Sequence, residues 1–142
     1  MRLRDKAMAA TTALALTVLL GGLAAPAQAS ARPHFQMPFP CDEEWNGATR
    51  KPHPTYLGAG SYALDFNKGS GYDDFGREVV ASAAGTVERA WDSTWGQVVI
   101  NHGGTWKTKY VHLDKSSAKV LKVGDKVAQG DLVGYVGETG AP

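Results

Sequence analysis

Gln97-Val98-Val99-Ile100-Asn101-His102-Gly103-Gly104-Thr105-Trp106-Lys107-Thr108-Lys109-Tyr110-Val111-His112-Leu113 is the run whose reading decides the architecture. Two stretches rich in β-branched and aromatic residues, Gln97–His102 and Thr105–Leu113, flank a Gly-Gly pair, which reads as two strands and a turn. In the second, Lys107 and Lys109 share a face with Val111 and Leu113, while Trp106, Thr108, Tyr110 and His112 share the other. That second row suits the floor of a polar cleft; the plainer alternative is an edge strand with a mixed surface. Outward from this centre, Val79–Ala81, Thr86–Trp91 and Leu132–Val136 read as further strands. In Ser61–Phe66, alternation puts Tyr62, Leu64 and Phe66 toward a core and Asp65 on the opposite face. Gly85, Gly96 and Gly130 fall at turn positions, and no amphipathic helical segment follows residue 30. With 17 Gly and 7 Pro in 142 residues, long helices are disfavoured. The expectation is an all-β domain built on a twisted antiparallel sheet.

The ends carry different signals. Arg2, Arg4 and Lys6 precede an apolar run from Ala7 to Ala25, and Ala27-Gln28-Ala29 matches a signal-peptidase site, so residues 1–29 are expected to be cleaved on export. Gly21, Gly22 and Pro26 argue against a retained membrane anchor. Removal leaves 12 Lys+Arg against 13 Asp+Glu, a balance with no basic excess for nucleic acid. Residues 30–60 contain five prolines between Pro33 and Pro54 and read as an extended arm pinned by Phe35, Phe39 and Trp45. Cys41, without a second cysteine, is either a small buried hydrophobe or a partner for a cysteine outside this chain. Val120–Asp131 reads as a hairpin flanked by two Gly-centred turns, its charges solvated.

Ala63-Leu64-Asp65-Phe66, Val80-Ala81-Ser82-Ala83-Ala84-Gly85-Thr86-Val87, Tyr110-Val111-His112-Leu113 and Val123-Gly124-Asp125-Lys126-Val127 occur in the order found in lysostaphin-type zinc metallopeptidases, and residues 61–142 resemble that domain. The resemblance implies a barrel-sandwich β fold and a secreted enzyme of the bacterial cell envelope that cuts peptide cross-bridges of peptidoglycan. It also implies a water, activated by Zn2+, attacking a carbonyl. The family's H-x-x-x-D motif places a metal ligand at Asp65, and its Tyr-x-His-Leu strand places an acid/base or oxyanion histidine at His112. Two departures stand out: Ser61 occupies the position of the ligand histidine, and the family's later His-x-His pair is not in the sequence.

A catalytic zinc takes about three His, Asp or Glu ligands and keeps one open position, and a serine hydroxyl is a poor substitute for imidazole. His53 is the nearest stand-in, joined to Asp65 through a loop containing Gly58, Ala59 and Gly60; a solvated arm histidine is the competing reading. Ser61, Thr108 and Tyr110 are expected to line the cleft. The pattern implies an incomplete site with weak zinc binding and no hydrolysis, and a missing last strand that leaves an unpaired edge at Leu132–Val136. The alternative is a non-catalytic wall-binding or regulatory protein on the same fold. A biotinyl or lipoyl carrier is disfavoured, because no Met-Lys-Met triplet is present.

Overall fold

The computed structural model describes residues 31–49 and 63–141. Its regular elements are eight short strands, β1 (Asn46–Ala48), β2 (Asp65–Asn67), β3 (Glu78–Val80), β4 (Gly85–Arg89), β5 (Val98–Asn101), β6 (Lys107–Tyr110), β7 (Lys126–Val127) and β8 (Leu132–Tyr135), and one 3₁₀ turn at Lys115–Lys119. All pairings are antiparallel: β1 with β2, β3 with β8, and a four-stranded sheet ordered β6-β5-β4-β7. The all-β antiparallel expectation holds.

Three consecutive β-branched residues make β5 the centre of the largest sheet. Val98 and Ile100 point into the main cluster with Val87, Ala81, Tyr110, Leu113, Val127 and Val133. Val99 faces the other side, where it floors a groove bounded by Glu88, Arg89, Trp95, Lys107 and Lys109. Burial on both faces explains why β5 reads as an unbroken apolar run rather than an alternation. Beside it, β6 carries Lys107 and Lys109 outward, and Lys107 Nζ meets the Glu88 carboxylate at 2.7 Å. That hydrogen bond, more than the accompanying charge attraction, holds the Glu88 carboxyl below its ordinary range.

The arm lies along the domain. Gln36 N donates to Ser82 O and Val80 N to Pro38 O, while Gln129 Nε2 reaches both His34 O and Ser82 O. Phe39 stacks on Trp45 at 4.9 Å and meets Phe66 edge-on at 5.4 Å; Phe35 meets His102 edge-on at 5.3 Å. Glu43 ties the arm down as well, accepting from Trp45 Nε1 and from Arg77 Nη1, with Lys68 Nζ at 3.7 Å.

Four expectations change. Tyr62 lies outside the described residues, but Leu64 is 57% exposed rather than in the core. β2 pairs only with the three-residue β1 among the described residues, and its Phe66 meets Phe39. Cys41 is exposed, which removes the buried reading. Val120–Asp131 is no self-paired hairpin, because β7 pairs with β4. The edge at Leu132–Val136 is not open: Asp114 N donates to Tyr135 O, Tyr135 N donates to the Oγ of the buried Ser117, and Leu113 bridges Val136.

β7 is instead held between two copies of one turn. Lys122 N donates to Asp125 Oδ2 and Ala128 N to Asp131 Oδ2. In the first, Gly124 N donates to Val87 O and Asp125 O accepts from Val87 N; in the second, Gly130 and Asp131 do the same with Ala81. Gly124 and Gly130 sit at φ 94° and 89°, where a side chain is costly.

Candidate functional site

His112 is set by three pieces of backbone. The first is the loop after Trp91, where Asp92 Oδ1 accepts from Thr94 N and Trp95 N at 3.0 and 2.9 Å and Asp92 O accepts from Gly96 N. Burial raises the Asp92 carboxyl, but the Trp95 and Thr94 amides and the Gln97 side chain outweigh it and hold it below the ordinary carboxylate range. This loop aims two successive carbonyls at the end of β6: His112 N donates to Trp95 O at 2.8 Å and Leu113 N to Gly96 O at 3.0 Å.

Successive amides of a regular strand point in opposite directions. Here they point the same way because His112 has φ 63°, a left-handed conformation uncommon outside glycine. The same twist ends the alternation begun at Trp106. Tyr110 and Leu113, three residues apart, both enter the core, so the alternation does not continue past Tyr110. The third piece is the turn after β8: Thr139 O lies 3.0 Å from His112 Nδ1, and Ala141 N donates to Glu138 O.

Glycines allow these backbones to touch. A Cβ at Gly96 would lie 2.3 Å from Leu113 O, one at Gly137 2.4 Å from Asp114 N, and one at Gly140 2.3 Å from Thr94 O. All three distances are shorter than side chains tolerate.

Thr108 and Tyr110 belong to a hydrogen-bonded line beneath this junction. Ser82 N donates to Tyr110 Oη at 2.8 Å; the Tyr110 and Thr108 hydroxyls are 3.2 Å apart. Thr108 Oγ1 is 2.9 Å from His102 Nε2, and His102 Nδ1 is 2.8 Å from Ala84 O. A carbonyl only accepts, so His102 Nδ1 carries hydrogen. The Thr108 hydroxyl lies within reach of both Nε2 and Tyr110 Oη, and Tyr110 Oη accepts from Thr108 and from Ser82 N. Both nitrogens of His102 are therefore used structurally.

Asp65 is half-buried at the start of β2, opposite Ala48. His53 and Ser61 lie outside the described residues. Among the described residues no three His, Cys, Asp or Glu side chains are grouped to hold a metal ion. Those residues by themselves do not fit a zinc site. Sequence reading singled out His112 and placed Gly96 at a turn but did not single out Gly137, Gly140 or Thr139 around it; glycine at such density around two strand ends was the available signal.

The scaffold is an all-β antiparallel one, with the His112 ring held at a strand end by backbone. The comparisons give the family. The profile of peptidase family M23 matches residues 64–142, more than half of the chain. The chain belongs to that family. It is 36% identical over 82 residues to the β-lytic metalloendopeptidase of Lysobacter enzymogenes, covering 56% of this chain and 43% of that protein. It is 33% identical over 109 residues to the peptidoglycan DD-endopeptidase ShyA of Vibrio cholerae serotype O1, covering 72% and 24% respectively. A crystal structure from Pseudomonas aeruginosa described as a peptidase M23 superposes with a TM-score of 0.54 at 27% identity, covering 78% of this chain and 42% of that one. The chain thus spans less than half the length of each of these relatives.

Proposed function

We propose that the chain is an exported peptidoglycan-directed metalloendopeptidase domain, with a signal segment at 1–29, an arm at 30–60 and the hydrolase domain at 61–142. Its setting is the bacterial cell envelope or the medium beyond it, its substrate peptide cross-bridges, and its metal Zn2+. One observation carries the reading: the family match spans the stretch that contains both Asp65 and His112. The two relatives, a metalloendopeptidase and a peptidoglycan DD-endopeptidase, point to the same chemistry. Asp65 and His53 stand on the metal side and His112 supplies the acid/base group. Ser61 stands in the sequence where the family has a ligand histidine, and Thr108 and Tyr110 support the cleft from within the sheet.

A second reading, a non-catalytic wall-binding or regulatory protein, is favoured by Ser61 in place of a ligand histidine and by the want of a three-donor group among the described residues. The test compares the chain with Ser61→His, measuring zinc affinity, release of soluble fragments from cross-linked peptidoglycan, and co-sedimentation with it. The unaltered chain is expected to bind zinc weakly and to leave the wall uncut, and Ser61→His to bind zinc more tightly. Chelator-sensitive lysis by the unaltered chain would overturn that expected inactivity and establish the hydrolase. Co-sedimentation without lysis in either form would favour the binding protein.

A further inference from the structure

We infer that the carbonyl of Thr139 fixes His112 as its Nδ1–H tautomer, and that Gly96, Gly137 and Gly140 are the positioning residues that put that carbonyl in place. Thr139 O lies 3.0 Å from Nδ1. Because a carbonyl oxygen only accepts, the hydrogen is on Nδ1, and in the neutral ring the lone pair is on Nε2. The ring cannot exchange these roles while that bond persists, and the backbone that carries the ring is itself held by His112 N on Trp95 O and Leu113 N on Gly96 O. The Thr139 carbonyl is equally committed. Gly140, at φ 72°, abuts Thr94 O, and Gly137 abuts Asp114 N, so the turn is seated on the same two backbones that seat His112. Three segments far apart in sequence thereby hold one ring nitrogen.

This deepens the proposed hydrolase reading and rests on it for its chemical meaning: Nε2 is the nitrogen that takes and returns the proton, and Thr139 acts only through His112. His102 provides an internal standard, because Ala84 O fixes the same tautomer there by an independent contact.

The experiment is nitrogen-15 NMR of the histidine rings in the full chain, at a pH where the rings are neutral. The expected result is an Nδ1–H pattern at both His112 and His102. An Nε2–H pattern at His112 overturns the inference outright. Gly140→Ala, which drives a Cβ into Thr94 O, is expected to lose the His112 pattern while His102 keeps its own; retention at His112 overturns the role of the glycines. Thr139→Ala keeps the carbonyl and is expected to change neither ring. Should Gly140→Ala not fold, the bond is read from its other end. His112→Asn, a residue that tolerates positive φ, is expected to shift the carbonyl carbon-13 resonance of Thr139 and leave Ala84 unmoved, and an unmoved Thr139 overturns the inference. None of these readouts needs substrate. A chain that shows the tautomer yet never cleaves peptidoglycan would support the positioning and overturn only the hydrolase reading.

Discussion

Replacing Tyr110 by Phe removes one oxygen from the middle of the domain and little else. The ring stays in the main cluster, where Tyr110 is 8% exposed, so neither apolar burial nor volume changes much. The Ser82 N–H, held at 2.8 Å by the lost hydroxyl, becomes a buried donor with no acceptor, and Ser82 is itself 7% exposed. Leaving a buried donor unpaired costs about 1–3 kcal/mol, whereas removing both partners of a bond costs far less. The Thr108 hydroxyl loses a neighbour too, but it retains His102 Nε2. The expected destabilisation is therefore about 1–3 kcal/mol. It should appear in urea as a lower midpoint with an unchanged slope, because no more surface is exposed on unfolding. Thr108→Val, which strips a partner from the half-buried His102 ring, should cost less. A Tyr110→Phe change below about 0.5 kcal/mol, smaller than a typical net hydrogen bond, would refute the argument. If peptide hydrolysis fell while the midpoint stayed put, Tyr110 would be a wall of the cleft and not its support.

Gly134→Ala should destabilise the domain by about 1–3 kcal/mol as an overpacking change, because a Cβ there would lie 2.6 Å from Ser117 Oγ and 2.8 Å from Ser117 Cβ; thermal melting of Gly134→Ala alongside Gly134→Ala/Ser117→Gly should show partial rescue. Ser117→Ala removes the acceptor for Tyr135 N and should cost about 1–3 kcal/mol by the same orphan-donor reasoning. The Asp92 carboxyl is depressed in the folded chain, so its contribution is present above the unfolded value near 3.8 and is lost as pH falls through the lower folded one. Asp92→Asn should accordingly flatten the acid limb of the stability–pH curve, and a limb of unchanged steepness would count against the Asp92 loop as its source. Ser61→His should raise zinc affinity, measured by competition with a chromogenic chelator.

Most of the sheet was legible because its strands announce themselves by composition. Val98-Val99-Ile100 could be nothing else between Gly96 and the Gly103-Gly104 pair, and Leu132–Tyr135 and Gly85–Arg89 follow the same logic. Alternation failed where a residue left the β region. Nothing in the letters of Tyr110-Val111-His112-Leu113 announces a left-handed histidine, so the face assigned to His112 could not be carried past Tyr110. Leu64 failed for another reason: period-2 patterning says which residues share a face, not whether anything covers it. The backbone contacts to Thr139 were out of reach altogether, since a carbonyl acceptor has no residue type.

The paired turns around β7 have a consequence for how the chain finds its frame. Gly124-Asp125 grips Val87 and Gly130-Asp131 grips Ala81, so both halves of the grip advance by six residues, in opposite chain directions. Sliding the segment by six would let one turn occupy the seat of the other with every main-chain bond of that seat intact. The two turns are thus seated alike, and it is the ladders of β7 on β4 and of β8 on β3 that such a slide would break. Six residues apart, Gln129 holds the place in the second turn that Val123 holds in the first: Val123 stands 67% exposed, whereas Gln129 Nε2 reaches the carbonyls of His34 and Ser82. Gln129 therefore marks the second seat as different from the first, and the strand pairings on either side carry the rest of the information that keeps this part of the molecule in phase.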